Sequence, residues 1–223
     1  MLDCVELETG SSPQWSVIWL HGLGADANDF VPLVPELVKA EWPAIRFVFP
    51  NAPERAVTIN NGYRMRAWYD ISDMDFANRA DMTGVRESIR DLDELVEEEI
   101  QRGVPADHIF IAGFSQGGAV TLSYGVRSTR KLAGLIALST YLPAPAESAA
   151  EKAEGAEQAK IFMAHGTQDP VIPIRESERS AHALRAMGFE VEWQGYHPMQ
   201  HSTCREEIDS LQDWMSARFN AGT

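Results

Sequence analysis

The sequence predicts an α/β protein, with a mostly parallel central sheet flanked by helices on both faces. Two observations carry this expectation. Short apolar runs alternate along the chain with longer stretches of helical period. The 223 residues, 44% hydrophobic and 23% charged, have the length and composition of one packed domain rather than a disordered or fibrous chain.

The elements follow in order. An edge strand is expected over 2–8, then strands at 17–21, 46–50, 108–113, 132–139, 160–165 and 190–196. The clearest helix spans 83–102, where Val85, Ile89, Leu92, Val96 and Ile100 recur at steps of three or four and share one face. Its acidic far side, including Glu97, Glu98 and Glu99, is expected to be solvated. A second helix follows Ser115, a third ends near Gly188 acting as a C-cap, and a last one covers 206–219. Two stretches, 51–80 and 143–159, exceed ordinary connections. The first is read as a lid because Met65, Trp68 and Tyr69 supply apolar side chains, the second as a surface excursion.

Charge and cysteine content narrow the function classes. Thirty-three acidic against nineteen basic residues give a net charge of −14, a surface that repels phosphate backbones and anionic headgroups. Nucleic acid and stable membrane association are therefore not expected, and monomeric or micellar substrates are favoured over vesicles. The acidic start lacks a signal-peptide pattern, and no run reaches the roughly 20 apolar residues of a membrane-spanning helix. Cys4 and Cys204 are too few for a disulfide framework, leaving at most one bridge between them, and they lack metal spacing. These features suit the cytoplasm.

The chemistry centres on Gly113-Phe114-Ser115-Gln116-Gly117, which follows an apolar, β-branched strand and opens a helix of small residues. This is a G-x-S-x-G elbow in its required context: the glycines permit a tight strand-to-helix turn that pushes the serine hydroxyl out at the helix N-terminus. A serine hydroxyl is a weak nucleophile unless a histidine takes its proton and a carboxylate orients that histidine. Downstream, Asp169 sits just past the strand ending in His165-Gly166, a position suited to the orienting acid, although an Asp-Pro turn would also favour it. His201 lies in a polar loop before the last helix and is the better base. His182 falls within a helix, and His197 precedes Pro198 and reads as a structural end to the strand. The four-residue spacing of His197 and His201 does not make a zinc motif, because Pro198 opposes a helix and no Glu follows His197. Acyl chemistry also needs donors for a developing oxyanion. The glycine-rich turn Leu20-His21-Gly22-Leu23-Gly24 offers the N–H of Leu23, and Gln116 offers the second, with His21 as a structural residue of the turn.

Here the chain resembles the carboxylesterase and acyl-protein thioesterase family of α/β-hydrolases, over nearly its whole length. The resemblance rests on Trp19-Leu20-His21-Gly22-Leu23-Gly24 with Asp29-Phe30, on Pro50-Asn51-Ala52-Pro53 and Val57-Thr58, and on Trp68-Tyr69-Asp70-Ile71. It continues through Gly113-Phe114-Ser115-Gln116-Gly117-Gly118-Ala119, Leu138-Ser139-Thr140-Tyr141-Leu142-Pro143, and His165-Gly166 with Asp169. It implies an α/β-hydrolase fold, Ser115 as nucleophile, Asp169 as orienting acid, His201 as general base, and Leu23 and Gln116 as oxyanion donors. It further implies an acyl groove near Met65, Trp68, Leu142 and Val171, and by analogy a homodimer.

The expected activity is hydrolysis of small carboxylic esters through an acyl-enzyme on Ser115, with no metal and no organic cofactor. The alternatives are a thioesterase on acylated proteins or acyl-CoA, a lysophospholipase, and a non-catalytic binding module. Two departures from the family pattern stand out: Gln200 where members usually have glycine before the histidine, and Arg66-Ala67 where they usually have Pro-Ser. The first would reshape the histidine loop and the second would place a cation near the groove.

Overall fold

The computed structural model describes residues 2–73, 75, 76 and 79–221. Its strands are β1 (Cys4–Glu8), β2 (Trp15–Leu20), β3 (Ile45–Pro50), β4 (Glu54–Val57), β5 (Tyr63–Arg66), β6 (Ile109–Phe114), β7 (Gly134–Leu138), β8 (Ile161–Gly166) and β9 (Val191–Tyr196). Its α-helices are α1 (Val34–Leu37), α2 (Met82–Gln101), α3 (Gln116–Arg127), α4 (Pro145–Ala150), α5 (Ile174–Ala186) and α6 (Arg205–Ala221). Every strand and helix expected from the sequence forms within about two residues of its expected bounds.

Seven strands make one sheet in the order β1-β3-β2-β6-β7-β8-β9, with β1 antiparallel at the edge and the rest parallel. The apolar strands are covered on both faces. Ile18 and Leu20 of β2 and Ile111 of β6 face one core with Val85 and Val96 of α2 and Ala119 and Leu122 of α3. Val17 and Trp19 of β2 and Phe110 of β6 face a second core with Leu37 of α1 and Leu211, Trp214 and Met215 of α6. Strand side chains point alternately to opposite faces, and burial on both sides is what makes these runs apolar at every position. From β2 the chain crosses first to β3 on one side, then to β6 on the other. The carboxyl ends of β2 and β6 therefore form a topological switch point, where open α/β sheets leave a crevice.

Three expectations are corrected. Glu99 is buried at 2% exposure instead of solvated. The Arg46 guanidinium of β3 reaches it at 3.0 Å and Arg102 at 2.9 Å, and a buried carboxylate is tolerable only with such partners. Residues 143–159 are no plain excursion: α4 packs on α3, Ala156 and Ala159 are buried, and Arg86 and Arg127 pair with Glu151. In the stretch read as a lid, β4 and β5 form a hairpin, while Trp68 and Tyr69 are core residues at 1% and 0% exposure. Ser88 of α2 donates to the Trp68 carbonyl, so this part of the stretch is fixed in the core. Residues 74, 77 and 78 of that stretch lie outside the described residues. Cys4 and Cys204 are unbridged.

Candidate active site

The turn after β6 sets the site. Ser115 adopts φ 54° and ψ −116°, a strained conformation for a side-chain-bearing residue. Space enforces it: a Cβ on Gly113 would lie 2.3 Å from the Gly117 carbonyl carbon, and a Cβ on Gly117 would lie 2.3 Å from the Leu20 oxygen. Only glycine lets α3 start this close to β2. The turn is tied down by Ser115 N–H donating to Leu138 O at 2.9 Å and by Thr140 Oγ1 donating to Ser115 O at 2.6 Å.

His201 arrives from the loop between β9 and α6. Its Nε2 lies 2.9 Å from Ser115 Oγ, and its Nδ1 lies 2.7 Å from Asp169 Oδ2. Asp169 follows β8, and its Oδ1 accepts the backbone N–H groups of Val171 and Ile172 at 2.8 and 2.9 Å. Burial pushes this carboxyl up, but hydrogen bonds from His165, His201 and Ile172 outweigh it and hold the group well below the usual carboxylate range. An ionised Asp169 can only accept, so Nδ1 of His201 carries the proton and Nε2 is left to accept from the Ser115 hydroxyl.

The loop after β2 forms the facing wall. His21 is buried; its Nδ1 donates to Gly22 O at 2.7 Å and its Nε2 accepts from Ala52 N–H at 3.1 Å. Burial lowers its pKa and keeps the ring neutral, as this pair of bonds requires. Gly24, at φ 76°, donates to Arg66 O at 2.9 Å, and Trp68 Nε1 donates to His21 O at 2.9 Å. Leu23 thus hangs on a loop anchored at both sides. Gln116 is the first residue of α3, where backbone N–H groups have no intrahelical acceptor.

A cavity of about 270 Å³ opens beside Ser115, and Leu23, Gln116 and His201 line it. Of the four residues expected at an acyl groove, Val171 lines this cavity and is 52% exposed. Met65, Trp68 and Leu142 are not among its lining residues. Trp68 is sealed beneath the His21 loop, Leu142 is buried behind Tyr141 with its N–H bonded to Ser180 Oγ, and Met65 packs on Gly24 from the hairpin. Tyr69, Ile71, Arg79 and Tyr141 line the cavity instead, and so does Asp29. Tyr69 and Tyr141 were visible in the Trp68-Tyr69-Asp70-Ile71 and Leu138-Ser139-Thr140-Tyr141-Leu142-Pro143 motifs, but Arg79 carries no local signal that would single it out.

Both family departures resolve locally. The Gln200 side chain is exposed, while its carbonyl packs so close to Gly166 that a Cβ there would meet it at 2.3 Å. The His201 loop therefore keeps its approach to Ser115. Arg66 turns its guanidinium to Ala52 O at 3.0 Å, and the cation that lines the cavity is Arg79.

The model of the phospholipase/carboxylesterase family matches residues 3–218. The chain belongs to this family. It is an ester hydrolase with the α/β-hydrolase fold, as family membership and the sheet order together establish. Among its relatives, acyl-protein thioesterase 1 of Neurospora crassa is 37% identical over 212 residues, covering 92% of this chain and 86% of that protein. The crystal structure of Arabidopsis thaliana SOBER1, a carboxylesterase by name, superposes with a TM-score of 0.86 at 29% identity over 92% of this chain and 98% of that one. Zea mays acyl-protein thioesterase 2 gives a TM-score of 0.85 at 25% identity over 98% of this chain and 100% of that one. No described helix of this hydrolase is long and apolar enough to cross a membrane.

Proposed function

We propose that this hydrolase is a serine carboxylesterase, a single α/β-hydrolase domain that cleaves esters through an acyl-enzyme on Ser115. The observation that carries the reading is the unbroken hydrogen-bonded chain Asp169–His201–Ser115, with spacings of 2.7 and 2.9 Å, opening into one cavity. Ser115 Oγ attacks the ester carbonyl while His201 Nε2 takes its proton, and Asp169 stabilises the imidazolium that forms. The N–H groups of Leu23 and Gln116 receive the oxyanion. The imidazolium protonates the departing alcohol, and water then repeats the sequence to release the acid. The cavity, about 270 Å³, lies just below the roughly 300–1,000 Å³ usual for ligand pockets, which favours short acyl groups. Two cysteines in 223 residues, too few for a disulfide framework, support a reducing compartment such as the cytoplasm.

The names of its relatives favour a second reading, in which the same site cleaves thioesters. Hydrolysis of p-nitrophenyl esters across a chain-length series, with Ser115→Ala alongside, tests the first. Turnover with a short-chain optimum, lost in Ser115→Ala, supports the esterase. Turnover of acyl-CoA or an acylated peptide with inert short esters would replace it by the thioesterase.

A further inference from the structure

Arg79 lines the cavity wall, and among the described residues it has no ion-pair partner. The neck of its loop holds it there: Ser72 N–H donates to Arg79 O at 2.9 Å, and Ile71 bridges to Ala80. The guanidinium carbon lies 4.3 Å from the Phe76 ring centroid and 5.7 Å from that of Tyr141. Ring faces attract a cation but leave its N–H groups unbonded. Its Nε is buried with no hydrogen-bond partner, and among the described residues no carboxylate lies within ion-pair distance of the guanidinium. Asp29 lines the same cavity without reaching it.

Beside Arg79, the Tyr69 and Tyr141 hydroxyls lie 3.2 Å apart. One donates to the other, so the second phenolic proton has no acceptor among the described residues. A half-buried cation with an unused N–H, next to an unused O–H, is a pair of donors awaiting an anion. Against the protein's net charge of −14, which repels anions at long range, a cation in the cavity wall stands out.

Building on the esterase reading above, we infer that Arg79 with the Tyr69–Tyr141 pair forms a carboxylate subsite, and that the preferred substrates are short esters bearing a free carboxylate. Two donors suit the two oxygens of a carboxylate, and the guanidinium is the side chain best shaped for it. Arg79, Tyr69, Tyr141 and Ser115 line the same cavity, so one small ester can face both the subsite and the serine. The carboxylate is carried by the acyl group or by the alcohol, and the test separates the two.

The experiment compares mono-p-nitrophenyl glutarate with its neutral counterpart p-nitrophenyl pentanoate, and 4-acetoxybenzoate with phenyl acetate, spontaneous hydrolysis being subtracted. Each pair is run on wild type, Arg79→Gln and Arg79→Lys. The expected result is a ratio of kcat/KM, anionic over neutral ester, that falls about tenfold or more in Arg79→Gln for one pair, the size of one charge-assisted hydrogen bond. The loss resides in KM, and Arg79→Lys restores part of it. The pair that responds identifies which side of the ester carries the charge. Equal ratios in wild type and Arg79→Gln for both pairs would overturn the subsite while leaving the esterase intact. If wild type turns over no ester, the esterase reading has failed, and calorimetric binding of glutarate decides the subsite separately. Uptake by wild type that Arg79→Gln abolishes sustains it, and absence of uptake by wild type refutes it.

Discussion

Gln116 Oε1 accepts the backbone N–H of Trp68 at 2.8 Å, and its Nε2 donates to Tyr69 O at 2.8 Å. One residue thus supplies the first amide of the helix behind Ser115 and clamps the segment that builds the cavity wall. The Ser115 turn and the pocket are mechanically joined.

Gln116→Ala keeps the backbone N–H but leaves a buried N–H and a buried C=O without partners. Thermal unfolding should show a loss of about 1–3 kcal/mol, and kcat/KM should fall as Tyr69 shifts. Unchanged stability would mean that water replaces the clamp.

Asp169→Asn should lower kcat by about 10³- to 10⁴-fold with the fold retained, because His201 loses the partner that selects its tautomer. The Asp169 carboxyl has a folded pKa below its ordinary 3.8. Its contribution to stability is therefore present above that pH and fades as pH falls toward the folded value. Urea unfolding of wild type and Asp169→Asn near pH 7 and about pH 3 checks this: the gap between them narrows in acid.

Gly117→Ala should prevent proper folding or cost more than about 3 kcal/mol. Its Cβ would fall 2.3 Å from Leu20 O and 2.7 Å from His21 O, both backbone atoms of a central strand and its following loop. Soluble expression and circular dichroism read the outcome; a variant as stable as wild type would refute the close-approach account of the turn.

Glu207, on the first turn of α6, is fully buried, neither carboxyl oxygen makes a well-formed hydrogen bond among the described residues, and the Cys204 backbone offsets the burial only in part. Burial pushes its pKa from the ordinary 4.5 up to about 8. A raised folded value means no penalty below the unfolded pKa and a growing one as pH rises to about 8. Glu207→Gln should therefore match wild type near pH 4.5 and be more stable at pH 8, by at most roughly 5 kcal/mol at about 1.36 kcal/mol per pH unit. Calorimetric melts at the two pH values measure it, and a gain of equal size at both would contradict the origin in ionisation.

Local chemistry was legible wherever a residue's neighbours in sequence are also its neighbours in space. Glycines flanking Ser115 mark a turn that only glycine permits, and an apolar run before it marks a buried strand. Asp169 and His201 could be named because each follows a strand or precedes a helix, so the sheet carries both to the same edge. Glu99 was misread because it was grouped by charge with Glu97 and Glu98; seven residues past Leu92 and three past Val96, it falls on the apolar face, and what makes a carboxylate tolerable there is Arg46, more than fifty residues earlier in the chain. Met65, Trp68 and Leu142 were expected at the groove because the family resemblance implied it. An apolar side chain is equally suited to the core, and periodicity does not distinguish a cavity wall from the layer behind it.

By itself, then, the sequence determined the α/β class, the order of strands and helices, the elbow at Ser115 and its candidate partners, since each depends on local backbone chemistry and on apolar period. Tertiary structure alone decided the 2.7 and 2.9 Å spacings, the wall of Tyr69, Ile71, Arg79 and Tyr141, and the absence of a counter-ion for Arg79 among the described residues. Those depend on where separate loops meet above the sheet, which packing between distant segments sets and no local pattern records.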